Sequence, residues 1–582
     1  MSDLPDDNHL SAPLSGVEKV KMDSNWLRGA IAMELQTEVP KFGNDTQQIL
    51  KFHGIYAQDD RDGRAQRRRS GLDVEHICMI RVALPGGTLT AAQYLALSDL
   101  ADKLGNGTIR LTTRQGIQFH FVTKADLAEL LRAINSIDVT TWGGCGDVVR
   151  NVTACPGAVL PLVGEALSDI ANALSQRYKA PAASYLELWV DNERVPTPLL
   201  DARSQQDSLY GANLLPRKFK IGVSTSGDNC VDVLSCDLGV VLDAQSLNRI
   251  RLYVGGGMGR SGTDDTTYAK LGELLGEVDQ SELLGICDAV IALQRDHGNR
   301  VDRAHARLKY LIDAWGIDRF REQVEARANV HFAPAGVDTF LATSDHLGVT
   351  RLPHHVLRIG LKTPSGRIAD TGQISLKSGI YFLVSKYQPK LAVTAKGDLL
   401  LEGIDEASLG EFLLDLKLFG IKPSSELPSL ARTSFACVAL PTCGLALGES
   451  ERYLPSFIEE LTAALESNGV GDLEIDIRIT GCPNGCARPY LGEIGIVGRT
   501  KKSYDIFVGA DFRGTRLNHL FARDVAKESL VAALVPLLKL YSEGREDQER
   551  FGNFVARLEP TQLGALAPVA TRRPRSLAVA TQ

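Results

Sequence analysis

The 582-residue sequence lacks three features that would assign it to large classes of protein. It has no apolar run long enough to cross a membrane. Its acidic first residues, Met1–Asp7, lack the apolar stretch of a signal peptide. It also lacks an excess of positive charge, and the net charge of −7 argues against a nucleic-acid-binding face. These absences predict a cytoplasmic protein that binds neither membranes nor nucleic acid.

The composition that remains is that of a folded, multidomain chain. Hydrophobic residues make up 44% of the sequence and charged residues 23%, both ordinary for a globular protein. The length predicts about three or four domains. Ten cysteines without an export signal fit a reducing compartment, where thiols bind metal or stay buried.

Four cysteines near the C-terminal end form two closely spaced pairs. Cys437 and Cys443 are separated by five residues, and Cys482 and Cys486 by three. Four thiolates gathered by two short loops are the usual ligands of an iron–sulfur cluster. A structural zinc is the alternative, although zinc sites favour spacings of two to four residues in both pairs. The spacing alone leaves both metals open.

An internal repeat at an offset of 282 residues is the second informative pattern. Ile109–Arg114 aligns with Leu391–Lys396, and the match continues without a gap to Leu131 and Leu413. The same offset aligns Cys155 with Cys437. Helical spacing of apolar residues predicts helices at 123–136 and 405–419. We therefore predict an α/β (α+β) fold in which a half-domain and a larger α/β domain occur twice, related by a pseudo-twofold axis.

This repeat predicts the following division of the chain. The predicted segments are an N-terminal arm at 1–70 with a disordered start, a first half-domain at 71–140, a first α/β domain at 141–345, a second half-domain at 346–425, a second α/β domain at 426–560 and a disordered tail at 561–582. We call 71–345 the first copy and 346–560 the second copy.

The two copies differ in chemistry. Four polar or basic positions of the first copy (Arg110, Arg114, Gln118 and His120) become Ala392, Lys396, Leu400 and Glu402 in the second. Conversely, Cys155 has no second cysteine six residues later, because Pro161 is there. The first copy is thus predicted to be the cationic one and the second copy the metal-binding one.

Four further basic residues interrupt apolar patterns in the first copy. They are Arg81, Arg150, Lys218 and Lys220. Alternation predicts that the two lysines share one face of a strand. A basic residue in a strand is costly to bury unless it meets an anion. Each one alone is explained by a structural ion pair, but together they indicate a pocket for a polyanionic ligand.

A glycine-rich segment, Gly257–Gly262, fits the pattern G-x-G-x-x-G after an apolar run. That pattern is typical of dinucleotide sites when it lies on the first strand of a nucleotide-binding fold. Here it comes after more than 200 residues of different organisation, so close approach of the backbone to a large planar cofactor explains it equally well. We find no convincing nicotinamide site and no flavin domain.

The motifs taken together resemble the siroheme-dependent sulfite and nitrite reductases. The resemblance runs from about Lys19 to about Arg557. The segments that carry it are Phe52–Gly54, Gln58–Asp62, Leu84–Gly87, Arg110–Gln115, Arg150–Val152, Leu215–Lys220 and both cysteine pairs. Members of this family have ferredoxin-like half-domains that are duplicated, and they carry siroheme coupled to a [4Fe–4S] cluster through a shared cysteine.

The resemblance implies a role for each matching residue. Cys437, Cys443, Cys482 and Cys486 correspond to the cluster ligands, and Cys486 also to the proximal ligand of the siroheme iron. Arg81, Arg150, Lys218 and Lys220 correspond to the pocket that holds sulfite. Arg110, Arg114, Arg217 and Lys309 correspond to partners of the siroheme carboxylates, and Gln118, His120 and Asn484 to residues that line the cofactor.

The resemblance also implies an activity and a partner. The expected reaction is the six-electron reduction of sulfite to sulfide in sulfate assimilation. Because no flavin domain is found, the electrons are expected from a separate flavoprotein that carries FAD and FMN and oxidises NADPH. The alternatives are ferredoxin as the donor, nitrite as the substrate, and a non-catalytic zinc scaffold held by the four cysteines.

The remaining six cysteines are predicted not to be ligands. They are Cys78, Cys145, Cys155, Cys230, Cys236 and Cys287. None of them pairs at the spacing of the four assigned cysteines. A buried free cysteine otherwise behaves as a small apolar residue.

Overall fold

A computed structural model describes residues 13–180, 188–190, 193–195, 209–337 and 340–568. It divides into two compact units. Unit 1 extends to Ser261 and from Asp265 to Leu427, and unit 2 comprises Gly262–Asp264 and the chain from Pro428. The predicted disordered start of the arm, residues 1–12, and residues 569–582 of the predicted tail lie outside the described residues.

The described strands, numbered in chain order, have the following bounds. They are β1 Ile55–Asp59, β2 His76–Val82, β3 Thr88–Leu89, β4 Ile109–Leu111, β5 Ile117–Val122, β6 Thr153–Ala154, β7 Leu188–Val190, β8 Glu193–Val195, β9 Ile221–Thr225, β10 Leu238–Leu242, β11 Arg249–Val254, β12 Glu273–Asp279, β13 Gly348–Leu352, β14 Val356–Leu361, β15 Arg367–Ile368, β16 Lys390–Val393, β17 Leu399–Asp405, β18 Phe435–Ala436, β19 Ile477–Thr480, β20 Ile494–Thr500, β21 Ser503–Val508 and β22 His519–Ala526.

The described α-helices range in length from 5 to 17 residues. They are Gly16–Asp23, Ile31–Leu35, Asn44–Leu50, Arg64–Arg69, Ala91–Leu104, Leu127–Asn135, Pro161–Arg177, Leu283–His297, Leu308–Trp315, Ile317–Ala328, Leu376–Tyr387, Leu409–Leu418, Ser429–Thr433, Leu454–Ser467, Leu530–Gly544, Phe551–Arg557 and Pro560–Leu566. None of the helices in this part of the chain is long and apolar enough to span a bilayer.

The sheets repeat in pairs, which confirms the predicted duplication. The larger sheet of the first copy has the order β12-β11-β10-β9-β6, and that of the second copy β22-β21-β20-β19-β18. In both, the three strands nearest the end with β6 or β18 are parallel and the remaining pairs antiparallel. The predicted helices at 123–136 and 405–419 are found at Leu127–Asn135 and Leu409–Leu418. The α/β fold class is therefore correct.

The two half-domains exchange a short strand. Their sheets have the orders β1-β2-β5-β4-β15 and β13-β14-β17-β16-β3. Thus β3 of the first copy pairs with β16 of the second, and β15 of the second copy pairs with β4 of the first. The buried side chains of both half-domains, such as Tyr94, Phe119 and Phe412, form one continuous hydrophobic core. The half-domains are consequently a single packed body.

Three expectations from the sequence need correction. The N-terminal arm was expected to extend to residue 70, but β1 lies within it and pairs with β2, because its apolar residues complete the edge of the first sheet. The tail was expected to be disordered from 561, but the helix Pro560–Leu566 begins there with a capping box between Glu559 and Gln562.

The two lysines Lys218 and Lys220 were expected to lie on one face of a strand. They instead precede β9, which starts at Ile221, and only Phe219 between them makes a bridge, to Val149.

The contact that supports the exchanged strand β15 is tight enough to test. Gly366 precedes β15 with φ of 81°, and a Cβ placed on it would overlap the carbonyl oxygen of Leu111 on β4. We expect Gly366→Ala to destabilise unit 1 by about 1–3 kcal/mol, because the added methyl strains both the backbone and the neighbouring strand. Urea denaturation measures the change. Gly372→Ala is the matched control, since nothing lies within 4 Å of its Cβ position; equal stability of the two variants would contradict the role of Gly366.

Candidate active site

The two cysteine loops of unit 2 start at the same edge of its sheet. β18 and β19 are parallel neighbours, with Phe435 opposite Arg478 and Ala436 opposite Ile479. Cys437 follows β18, and Cys482 follows β19 after Gly481. Because the carboxyl ends of parallel strands meet at one edge, each strand delivers one cysteine pair to the same place. The backbone N–H of Gly481 donates to Cys437 Sγ at 3.3 Å.

Close packing of glycines brings these loops together. A Cβ on Gly481 would lie 2.5 Å from the Cβ of Ala439 and 2.7 Å from the carbonyl oxygen of Gly448. A Cβ on Gly498 would in turn lie 2.5 Å from the carbonyl oxygen of Gly481. Glycine is thus required at 481 for the second loop to pass beside the first.

The four thiols influence one another. Burial and the neighbouring Cys486 raise the pKa of Cys437 to about 12. Burial and Cys486 likewise raise the pKa of Cys482 to about 12. Thiols with such raised pKa values lose their protons readily only when a metal ion binds and stabilises the thiolates. Asn484 Nδ2 donates to Cys482 Sγ at 3.6 Å and so orients this thiol.

The sulfur atoms of the four cysteines in unit 2 are not gathered as compactly as the ligands of a single ion. Among the residues that the structure describes, no three of these four Sγ atoms lie within 4.8 Å of one another. A tetrahedral zinc with Zn–S bonds of about 2.3 Å requires sulfur atoms roughly 3.8 Å apart. The wider arrangement fits a multi-iron cluster, in which each thiolate binds a different iron.

A basic group of the first copy, in unit 1, surrounds Arg81. Arg81 lies on β2, where its Nη1 donates to Cys145 Sγ at 2.8 Å and its guanidinium lies 5.6 Å from the ring centre of Tyr56. With its amide oxygen turned towards Arg81, Gln118 on β5 accepts from Arg81 Nε at 3.2 Å and from Nη2 at 2.7 Å. The phenol of Tyr56, whose pKa burial and Cys145 raise to about 12, also interacts with Arg150.

Lys218 and Lys220 belong to the same basic group and have lowered pKa values. Burial, followed by Arg217 and Arg150, lowers the pKa of Lys218 well below its usual value. Burial, followed by Arg114 and Arg307, lowers the pKa of Lys220 to about 7. Both lysines therefore lie in a positive field that weakens their hold on a proton.

Carboxylates do not neutralise this group. Within the described ranges, no carboxylate oxygen lies within 4.0 Å of a side-chain nitrogen of Arg81, Arg150, Lys218 or Lys220. The nearby carboxylates are already paired: Asp147 accepts from Arg303 at 2.8 and 3.0 Å, and Asp237 from Arg307 at 2.8 Å through both oxygens. Unpaired cations side by side are unfavourable, and an anion bound among them removes the repulsion.

Arg367, which no pattern in the sequence indicated, lies beside the buried polar residues on β4 and β5. Arg110, Gln118 and His120 are all buried. Arg367 on the exchanged strand β15 lies opposite Arg110, and its Nη1 is 3.4 Å from His120 Nδ1. Burial and Arg367 lower the pKa of His120 well below its usual value, so this imidazole is neutral. Arg367 could not be found from the repeat, because only the strand exchange brings the second copy here.

The basic residues predicted to bind the siroheme carboxylates differ in whether a side-chain donor is left for a carboxylate. Arg114 donates from Nη2 to the carbonyl oxygens of Asn151 at 2.5 Å and Ile221 at 3.1 Å, while its Nε is buried and unpartnered within the described part of the chain. Arg217 lies 3.9 Å from Asp147, and burial and Arg303 lower its pKa to about 10. Lys309 instead uses its ammonium on backbone carbonyls, donating to Gly259 at 3.0 Å, Gly257 at 3.3 Å and Tyr268. Arg114 thus has a free donor and Lys309 has none.

The glycine-rich segment lacks the context of a dinucleotide site. It follows β11, which pairs antiparallel with both of its neighbours, β10 and β12. No helix starts within the described residues between β11 and β12. Instead, Gly257 packs against Arg307, whose Nη2 would lie 2.9 Å from a Cβ at that position. The glycine therefore serves close packing and not phosphate binding.

Family models match most of the chain. The nitrite and sulphite reductase 4Fe-4S domain matches residues 145–332 and 474–565. The nitrite/sulfite reductase ferredoxin-like half domain matches residues 71–137.

Curated proteins and solved structures are similar over nearly the whole length. The sulfite reductase (NADPH) hemoprotein beta-component of Anoxybacillus flavithermus is 38% identical over 549 residues, which cover 94% of this chain and 95% of that protein. The protein of the same name from Acidithiobacillus ferrooxidans is 39% identical over 547 residues, covering 94% and 96%. The structure of the Mycobacterium tuberculosis NirA protein matches with a TM-score of 0.73 at 24% identity, covering 95% of this chain and 98% of that one, and supports the fold.

The duplicated fold, the four-thiol group and the unneutralised basic group define a redox protein that binds a metal cluster and an anion. The chain belongs to the nitrite and sulfite reductase family. The predicted family, its enzymatic character and its two cofactors, siroheme and a [4Fe–4S] cluster, are thereby confirmed.

We expect Cys486→Ser to abolish sulfite reduction and to alter both iron signals. A serine hydroxyl binds iron far more weakly than a thiolate, and the resemblance to the family implies that this position binds both the cluster and the siroheme iron. Electron paramagnetic resonance and the visible spectrum report the cluster and the haem separately. Cys78→Ala removes a buried thiol outside the group and should leave both spectra unchanged. Normal spectra in Cys486→Ser would disprove the assignment of a shared ligand.

Proposed function

We propose that this chain catalyses the six-electron reduction of sulfite to sulfide. The observation that carries the proposal is the group of Arg81, Arg150, Lys218 and Lys220, four cations whose side chains form no ion pair with a carboxylate in the described chain, since the nearby Asp147 and Asp237 are paired with Arg303 and Arg307. Its relatives named as sulfite reductase hemoprotein components support the choice of substrate. Formation of sulfide from sulfite by the purified protein, with a reduced dye as electron donor, tests it directly.

Substrate binding is assigned to these four cations. Sulfite is a small oxyanion, so it fits guanidinium and ammonium donors that have no anionic partner. Gln118 fixes Arg81 through two hydrogen bonds, and Phe219 anchors the two lysines by its bridge to Val149. The donors are therefore held in place before the anion arrives, which reduces the entropy lost on binding.

Proton delivery is assigned to Lys218 and Lys220. Each sulfite oxygen that leaves as water requires protons at that oxygen. An ordinary lysine holds its proton too tightly to act as a good acid near neutral pH, whereas the lowered pKa of Lys220, about 7, suits the task. The guanidinium groups of Arg150 and Arg81 stabilise the negative charge that develops on oxygen.

The cofactor positions are assigned by the resemblance of the sequence. Cys437, Cys443, Cys482 and Cys486 would hold the cluster, and Cys486 would also bind the siroheme iron. When bound, the two cofactors supply electrons singly to the sulfur atom of sulfite. Arg110, Arg114 and Arg217 bind carboxylates of the siroheme, with the unpartnered Nε of Arg114 as the strongest support. Gln118, His120 and Asn484 would line the cofactor. Lys309 would bind a siroheme carboxylate only if its ammonium gave up one of its hydrogen bonds to a backbone carbonyl.

The electron donor is proposed to be a separate flavoprotein. The relatives are named as beta-components of an NADPH-dependent enzyme, which implies a second component that handles NADPH. A cytoplasmic location goes with this proposal, because the ten cysteines of the chain fit a reducing compartment. Ferredoxin is the alternative donor, and the two are separated by measuring sulfide formation with NADPH plus flavoprotein against reduced ferredoxin.

We expect Lys218→Met and Lys220→Met to impair catalysis more than folding. Loss of one charged contact to an anion costs about 1.5–3 kcal/mol, or roughly a tenfold to hundredfold fall in kcat/KM. Steady-state sulfite reduction with a dye donor measures this without partner docking. The control is Lys103→Met, since Lys103 is exposed and pairs with Glu129. Full activity in both active-site variants, with siroheme bound, would place the substrate elsewhere.

We expect kcat/KM to fall as the pH rises through about 7, because Lys220 then loses the proton that binds the anion and protonates its oxygen. Nitrite is the better probe, since it stays fully ionised over this range whereas sulfite itself titrates. In Lys220→Arg the charge persists, so the fall near pH 7 should disappear while the rate stays low at every pH. An unchanged profile in Lys220→Arg would remove Lys220 as the titrating group.

A further inference from the structure

A second group of possible metal ligands lies in unit 1 and contains none of the side chains of the basic group. Cys155, Asp228, Cys230 and His346 each offer one ligand atom, and these four atoms all lie within 4.8 Å of one another. Both cysteines are buried, and His346 and Asp228 are 7% and 19% exposed in their side chains. We propose that these four residues form a zinc site. It does not depend on the proposed sulfite reduction.

The distances fit one tetrahedral ion. Cys155 Sγ lies 3.6 Å from His346 Nε2, and the same nitrogen lies 3.5 Å from Asp228 Oδ2. With Zn–S bonds of about 2.3 Å and Zn–N or Zn–O bonds of about 2.0–2.2 Å, neighbouring donors of a tetrahedral zinc lie roughly 3.3–3.8 Å apart. These two pairs of donors are therefore already at the separation that zinc requires, and the remaining pairs lie within 4.8 Å.

The choice of zinc follows from the donor set. Two thiolates, one imidazole and one carboxylate are a mixed, moderately soft set, which suits zinc better than magnesium or calcium. This compact set differs from the four cysteines of unit 2, of whose Sγ atoms no three lie within 4.8 Å of one another in the described chain.

The geometry argues against a catalytic Cys–His–Asp arrangement. In such a triad the thiol and the carboxylate bind opposite nitrogens of the imidazole, so that the carboxylate orients the base. Here the thiol of Cys155 and the carboxylate of Asp228 both approach Nε2 of His346. Convergence of three donors on one point is the arrangement around a metal ion.

The backbone holds these ligands in place. Asp228 Oδ1 accepts from the N–H of Cys230 at 3.0 Å and from that of Ser344 at 3.1 Å, which leaves Oδ2 to face His346. The N–H of Asn229 donates to the carbonyl oxygen of Ala342 at 2.9 Å. These contacts fix the carboxylate before an ion binds, as outer partners do in known metal sites.

Gly157 packs against the imidazole of His346 at Nδ1, the nitrogen that does not face Cys155 and Asp228. A Cβ at Gly157 would overlap the ring of His346 at Nδ1, so only glycine allows the ring to lie here. Cys155 also lines a cavity of about 320 Å³, together with Pro156, Arg358 and Glu402. This cavity provides space beside thiols that are otherwise buried.

The duplication explains where the site lies. Cys155 follows β6 as Cys437 follows β18, and in both copies the neighbouring parallel strand is followed by a loop that supplies another cysteine. That second loop carries Cys230 in the first copy and Cys482 in the second. The spacing rule that excluded Cys155 and Cys230 as ligands considered only pairs within one loop. Both copies thus place cysteines at the same edge, with different partners.

Elemental analysis of the purified holoprotein, together with its iron content, tests the proposal. We expect one equivalent of zinc per chain in the wild type and its loss in Cys230→Ala and in His346→Ala, with iron unchanged. Cys78→Ala is the matched control, because it removes a buried thiol that lies outside the group. Zinc that persists in Cys230→Ala, or a wild type that takes up no zinc after reduction and incubation with zinc chloride, would overturn the proposal.

Zinc-edge X-ray absorption of the wild type gives an answer that does not depend on how the variants fold. We expect two sulfur neighbours at about 2.3 Å and nitrogen or oxygen neighbours at about 2.0–2.2 Å. A shell of four sulfur atoms would instead place the zinc on the cysteines of unit 2 and refute the site. A protein with zinc but without siroheme absorption would refute the proposed sulfite reduction and leave the zinc proposal intact.

Discussion

The pairing of one very short strand with a parallel neighbour determines where the chemistry of each copy lies. β6 and β18 contain two residues each, and each forms its ladder with a longer strand, β9 or β19. Because the strands run parallel, the chain leaves both of them at the same edge of the sheet. Cys155 and Cys437 follow directly at this edge. Without this pairing, the cysteine pairs of unit 2 would have no reason to meet.

The basic group is energetically unfavourable in the absence of a ligand, and a bound anion would reduce this unfavourable energy. Lys218, Lys220, Arg150 and Arg81 repel one another and are poorly solvated, which the lowered pKa values of the two lysines express. The protein could have neutralised them with carboxylates, as it neutralises Arg303 with Asp147 and Arg307 with Asp237. The arginines that are paired with carboxylates stabilise the fold, and the cations without such a partner remain available for an anion.

The sequence was most informative where a chemical pattern was local. The offset of 282 residues predicted the duplicated sheets, and the spacing of Cys437, Cys443, Cys482 and Cys486 predicted that they act together. Arg81 was also recognised, because a charge inside an apolar strand is conspicuous. Arg81 and each cysteine pair differ visibly from their neighbours in the chain, and the repeat aligns two continuous segments, so the sequence displays all three directly.

The features that the sequence did not reveal depend on distant pairing. Arg367 reaches His120 only because β15 joins the sheet of the other half-domain, and a strand of two residues leaves no periodic signal. Cys155, Cys230 and His346 lie on three separate segments, so no spacing rule relates them. The helix Pro560–Leu566 is a different case, because its capping residues were present in the sequence and were overlooked.

The exchange of β3 and β15 has a consequence for how such a chain could have arisen. A polypeptide with only one copy would leave the edge of its own half-domain sheet without the strand that now covers it, and it would carry a short strand with no place to bind. Two such polypeptides could each satisfy the other by the same exchange, as in a domain-swapped dimer. Fusion into one chain turns that intermolecular pairing into an intramolecular one. The association then no longer depends on protein concentration, and each copy is free to lose the residues that the other retains.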